Sequence, residues 1–174
     1  MRISTAPLSA GDTPYSQYAT AIAPQAAKLV RDRFGTLPGA LHLILNSDNS
    51  QNDHLANTAE ITLLPGTSPA PPHPATRPDR HQARSLTTLD QDGVLIVLQI
   101  ASMRSERDAA ETLVHELVHA HQLGDRAARA LHLKYLKHVW GQQPMKPSTL
   151  SAYKLLIEQR EAEAHDAEDL AAQL

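Results

Sequence analysis

Ser105-Glu-Arg-Asp-Ala-Ala-Glu-Thr-Leu-Val-His-Glu-Leu-Val-His-Ala-His-Gln-Leu-Gly124 is the stretch on which the reading of the chain turns. Apolar Leu113, Val114, Leu117, Val118 and Ala120 recur at helical spacing, so the segment is predicted to be an amphipathic helix with one buried stripe. Ser105 is set to cap it, Glu106 and Asp108 carry the sign that a helix dipole favours in the first turn, and Gly124 stops it. Inside it lies His115-Glu116-x-x-His119. Residues four apart stand one turn above each other, so both imidazoles can converge on one tetrahedral metal ion, with zinc the natural candidate. Glu116, about 100° round from His115, then falls beside the open side of such an ion, where a carboxylate can take a proton from water. The pattern arises by chance in roughly 3% of shuffled chains of this composition, and the helical context narrows that further.

The rest of the composition constrains how the ion is held. The 174 residues contain no cysteine, which excludes thiolate zinc sites, disulfides and cysteine nucleophiles, so any metal must rest on His, Asp or Glu. One domain spanning 1–174 is expected, because a chain of this length buries about 70% of its unfolded surface and has no need of a metal in order to fold. The net charge is −3 and the Lys and Arg residues are scattered, which gives no nucleic-acid footprint and leaves protein or peptide substrates as the expected partners. There is no apolar run of bilayer length, so no membrane association is expected, and the first residues lack the apolar core of a classical signal peptide. Cytoplasmic placement and export by a specialised route both remain open.

Working back towards the start, Val94-Leu-Ile-Val-Leu-Gln-Ile100 is a β-branched run of strand length and reads as a central strand feeding the motif helix. Residues 65–92 carry six prolines and little apolar content, which predicts a long loop. His73 and His81 lie in that loop and are read as solvated. Ala40–Leu45 and Glu60–Leu64 read as two strands, the first central and the second an edge, joined by a long polar turn over 46–57. His42 and His54 there read as ordinary side chains. Residues 1–12 read as loose. Residues 14–34 read as a helix stopped by Gly35, with Pro24 predicting a kink or a break.

Beyond the motif, Asp125 can cap a helix over 126–140, and Ser148 or Ser151 can start a last helix reaching about Ala171. The expected fold is α+β, with a small sheet of about three strands backing the motif helix and a helical C-terminal part. A catalytic zinc needs a third protein ligand besides the two histidines. The last helix offers Glu158, Glu161 and Glu163 within Ile157-Glu-Gln-Arg-Glu-Ala-Glu-Ala-His165.

An H-E-x-x-H helix followed some tens of residues later by a helix carrying E-x-E-A resembles the gluzincin branch of the zincin metallopeptidases, and the shortness of the chain resembles the minimal minigluzincins. The resemblance covers about residues 94–170. It implies a zinc-dependent peptidase with one zinc per chain, held by His115, His119 and a glutamate on the last helix. The family's E-x-x-x-D pattern puts that ligand at Glu161 and the acid that orients the first histidine at position 165, where this chain has His165 instead of aspartate. Glu158 is the second choice of ligand. Asp125 is the third, from a competing zincin layout whose turn glycine belongs where this chain has Gln122. His121 points away from the pair by helical phase. The resemblance further implies that Glu116 shuttles a proton during peptide hydrolysis, and that a Tyr or His steadies the oxyanion, with Tyr153, Tyr135 and His132 as candidates. It also implies a substrate lying extended along a sheet edge, for which Glu60–Leu64 is the expected strand. The alternative function is an inactive zinc-binding or interaction domain on the same scaffold, although a structural zinc has no use for Glu116.

Overall fold

A computed structural model describes residues 1–6, 8–64, 66 and 85–174. In chain order the elements are β1 (Arg2–Thr5), α1 (Thr13–Phe34), β2 (Leu41–Asn46), α2 (Asn49–Thr62), β3 (Ser85–Leu89), β4 (Val94–Gln99), α3 (Glu106–Gly124), α4 (Arg126–Val139) and α5 (Pro147–Asp166). Short 3-10 turns at Ala10–Asp12, Ile100–Ser102 and Glu168–Gln173 join or follow them. The architecture is α+β, as the patterning predicts. The sheet has four strands in the order β1-β2-β4-β3, with β1, β2 and β4 parallel and β3 antiparallel to β4.

Strand periodicity decides which helix covers which face. Leu41, Leu43 and Leu45 of β2 and Val94, Ile96 and Leu98 of β4 join one core with α1 and α3. Leu95 and Val97 face the other way and pack with Ala56 and Ala59 of α2. Every residue of β4 is buried, which is what a strand covered on both faces requires. The buried side of α1 is built from Ala19, Ala23, Ala26, Ala27 and Val30, small enough for its backbone to lie close along α3. Two glycines are compelled by geometry. Gly35 ends α1 at φ 106° while its N–H bonds to Arg31 O at 2.9 Å, and a Cβ on Gly93 would sit 2.0 Å from Ala40 O.

Four expectations are corrected. Residues 49–62 form helix α2, so Glu60–Leu64 is not an edge strand and 46–57 is not a turn. Asn52, Ala56, Ala59 and Glu60 are its buried positions, a helical spacing in which the apolar members are only alanines. Glu60 is fully buried and accepts from Thr88 Oγ1 at 3.1 Å and Trp140 Nε1 at 3.0 Å, which is how a carboxylate is tolerated there. Residues 2–5 are not loose, because β1 pairs with β2 and its Arg2 and Ser4 hold the two ring nitrogens of His42 at 2.9 and 2.7 Å. Residues 85–89, inside the expected loop, are strand β3. Residues 67–84, with His73 and His81, lie outside the described residues. Finally, of the kink or break expected at Pro24 the break does not occur: α1 runs through Pro24 as one helix, and Pro24 is exposed, so water can satisfy the carbonyl that loses its partner. Among the described residues no helix is long and apolar enough to cross a membrane.

Candidate metal centre

Helix α3 forms as its signals predict. The Ser105 side chain accepts the Asp108 N–H at 3.1 Å, and Glu106 and Asp108 occupy the first turn. Its apolar stripe, including Leu113, Val114, Leu117 and Val118, is buried in the main core, which turns His115 and His119 towards a cleft of about 390 Å³. Across the cleft stands α5, capped without a side chain and holding only Tyr153 and Ala164 buried along its length.

Three ligand-type side chains meet there. His115 Nε2 and His119 Nε2 are 3.0 Å apart, and Glu161 offers Oε2 to His115 Nε2 at 3.4 Å and Oε1 to His119 Nε2 at 3.3 Å. A tetrahedral zinc with bonds of about 2.0–2.1 Å needs its ligand atoms about 3.3–3.4 Å apart; each histidine meets that spacing to one Glu161 oxygen and the two Nε2 atoms stand slightly closer, so the three side chains fit such an ion with a small adjustment. The outer ring nitrogens are also engaged in the manner a metal site requires. His115 Nδ1 donates to Glu168 Oε1 at 2.9 Å. His119 Nδ1 donates to Gln122 Oε1 at 2.9 Å, and the Gln122 amide nitrogen in turn donates to Glu163 Oε2 at 2.8 Å and Arg160 O at 3.1 Å. That chain of bonds fixes which end of Gln122 faces the histidine and turns both Nε2 atoms inward.

The charges follow. Burial opposes protonation of His119, but the hydrogen bond it donates to Glu161 and the charges of the Glu116 and Glu161 carboxylates outweigh it and push its pKa up to about 9. His115 is raised for the same reasons, burial opposing and Glu161 and Glu116 prevailing. Hydrogen bonds from His115 and His119 hold the Glu161 carboxyl well below the usual carboxylate range. With both Nδ1 atoms donating outward, a 3.0 Å approach of two Nε2 atoms requires a proton between them. A cation entering the triangle displaces that proton.

Of the other ligand candidates, Glu158 is exposed and Asp125 accepts the Ala128 N–H at 2.8 Å as the cap of α4. Neither belongs to the two His/Glu groups spaced for a metal among the described residues. His121 turns away, its Nδ1 bonding to Thr36 O at 2.9 Å. His54 is exposed. His165 does not take the orienting position. It stacks edge-on against His115 with ring centres 4.7 Å apart and shares Glu168 with it, at 2.8 Å from its own Nδ1. The carboxylate that orients His115 is Glu168, which the E-x-x-x-D pattern cannot reach. Residues 161, 165 and 168 nonetheless fall on one helical face (i, i+4, i+7), and that spacing is the signal that would have found it. Glu168→Ala should weaken zinc binding by about 10- to 100-fold, read by competition with a chelator of known affinity, whereas an unchanged affinity would reduce Glu168 to a surface partner.

Among the three oxyanion candidates only His132 lines the cleft. Tyr153 is buried behind it, 2.6 Å from His132 Nδ1, and stacks on Tyr135 at 4.4 Å. Glu116 is 4% exposed and accepts Ser85 Oγ on Oε1 and Thr87 Oγ1 on Oε2, each at 2.5 Å. Those two hydroxyls belong to β3, the strand that the sequence reading missed. No family model, curated protein or solved structure matches the chain, so a functional reading has to rest on this constellation.

Proposed function

We propose that this chain is a zinc-dependent metallopeptidase of gluzincin-like type, in which His115, His119 and Glu161 hold the ion and Glu116 is the general base. The observation that supports it is the convergence of three ligand side chains, with Nε2–Nε2 at 3.0 Å and each Nε2 within 3.3–3.4 Å of one Glu161 oxygen, and with the buried Glu116 carboxylate beside them on the helix of the two histidines. When bound, zinc supplies Lewis acidity towards a scissile carbonyl and towards a water molecule. Glu116 takes one proton from that water as its oxygen bonds to the carbonyl carbon, and delivers it to the amine nitrogen when the C–N bond breaks. With Tyr153 donating its hydroxyl proton to Nδ1, His132 carries its own proton on Nε2, the tautomer needed for a donor towards a developing oxyanion. The substrate is a protein or peptide. The edge that suits it is β3, the outermost of the described strands beside the cleft, where an extended peptide can add as a further strand.

A second reading has one observation in its favour. Both oxygens of Glu116 already accept hydrogen bonds, as in a metal-binding domain without turnover. A peptide-library digest with zinc-loaded protein separates the two. Cleavage that stops with chelator and returns with added zinc, at about one zinc per chain, is the expected result. One zinc without cleavage would favour the inactive domain, and a protein that takes up no zinc would sink both readings.

A further inference from the structure

We infer that Ser85 and Thr87 are positioning residues for the reaction, fixing the Glu116 carboxylate in the orientation in which it receives a proton. The inference rests on the hydrolytic reading above. In β3 the alternation of side chains puts residues 85 and 87 on the face turned to α3, while Leu86 and Thr88 face α2. The result is one donor for each oxygen of a single carboxylate. A single donor leaves the carboxylate free to pivot about it, whereas two donors on different oxygens fix its plane as well as its place. Thr87 is the more deeply committed of the two, since its hydroxyl also lies 3.3 Å from the Glu116 backbone carbonyl.

The donors are neutral. Among the described residues no Lys or Arg forms an ion pair with Glu116, although it is almost wholly buried. A cation there would neutralise the charge that must draw a proton, and it would be close enough to repel a metal ion. Hydroxyls support the charged form without cancelling it. They also leave room, because an ionised carboxylate has about four acceptor positions and two remain for a water molecule. The pair of hydrogen bonds is therefore compatible with turnover, and it ties the base to the same edge strand that suits the substrate. Substrate and base are thus aligned on one rigid element.

The test uses the zinc-loaded full chain and the peptide that it cleaves fastest. Thr87→Val keeps the shape and removes the donor. It should retain about one zinc per chain and lose kcat by ~10- to 100-fold with KM within about twofold, the size expected when a catalytic group is misaligned. Thr87→Ser restores the hydroxyl and should recover kcat to within about threefold of the parent. In a Glu116→Gln background Thr87→Val should cost nothing further, since residues acting through one another are non-additive. Ser85→Ala removes the other donor, and Ser85 like Thr87 is only partly buried. It should lower kcat by about 3- to 10-fold, and it carries the test if Thr87→Val does not fold. Parent-like or faster turnover in the folded donor-deleted variant overturns the inference, as does an equal loss in the Glu116→Gln background. Those results leave the peptidase reading intact. A parent that binds zinc and cleaves nothing overturns both.

Discussion

Glu116→Gln should leave the protein folded, with about one zinc per chain, and lower peptide hydrolysis by ~10² to 10⁴. Glutamine has the shape of glutamate, and its amide can still meet two hydroxyls. Its oxygen accepts from one of Ser85 and Thr87, and its NH₂ donates to the other after that hydroxyl turns. The substitution therefore removes the proton acceptor without leaving a buried polar group unmatched. Glu116 is not one of the three residues of the ligand group, so metal content is expected to stay constant. Turnover numbers together with zinc analysis of the same preparation check both halves of the result. Equal turnover in variant and parent would take Glu116 out of the mechanism.

Glu161→Ala should cost more than ~10² in zinc affinity, exceeding the 10- to 100-fold typical of an orienting partner. Glu161 closes the triangle from the far wall of the cleft, 42 positions beyond His119. It is also about half exposed, so its removal leaves no cavity and the fold should survive. Two companion variants make the result specific. Glu158→Ala alters an exposed carboxylate outside both His/Glu groups and should leave zinc binding unchanged. Asp125→Ala removes the cap of α4 and should cost about 1 kcal/mol of stability while zinc stays bound. Chelator competition on the three proteins ranks the candidates, and full retention of zinc in Glu161→Ala would rule out its assignment as the third ligand.

What could be read from the residues alone divides along physical lines. Helix α3 and strand β4 were legible because their burial is signalled locally, by a leucine and valine stripe in one and an unbroken β-branched run in the other. The caps at Ser105 and Asp125 were legible because a capping side chain bonds within three residues of itself. The misses all depend on partners far away in sequence. Helix α2 buries alanines and polar groups whose worth appears only when β3 and Trp140 are alongside. β1 and β3 are strands of few apolar residues, and sheet pairing makes them what they are. The same holds within the site. His115, Glu116 and His119 share one helix and could be read together. Glu168 required knowing that the chain tightens into a 3-10 turn after Asp166 yet keeps to the face of Glu161.

The two walls of the cleft are not equally anchored. Helix α3 follows closely on β4, whose six residues are all buried between β2 and β3, and such a region opens only with global unfolding. Helix α5 buries only Tyr153 and Ala164 over 20 residues, and is held at its far end by Ala167 and Leu170 in the turn beyond it. The Glu161 side of the triangle can therefore lift away in a sub-global fluctuation that leaves the histidine pair in place. On the proposed zinc reading, exchange of the ion with its surroundings would then be a matter of how often one outer helix breathes, on a clock separate from that of the fold.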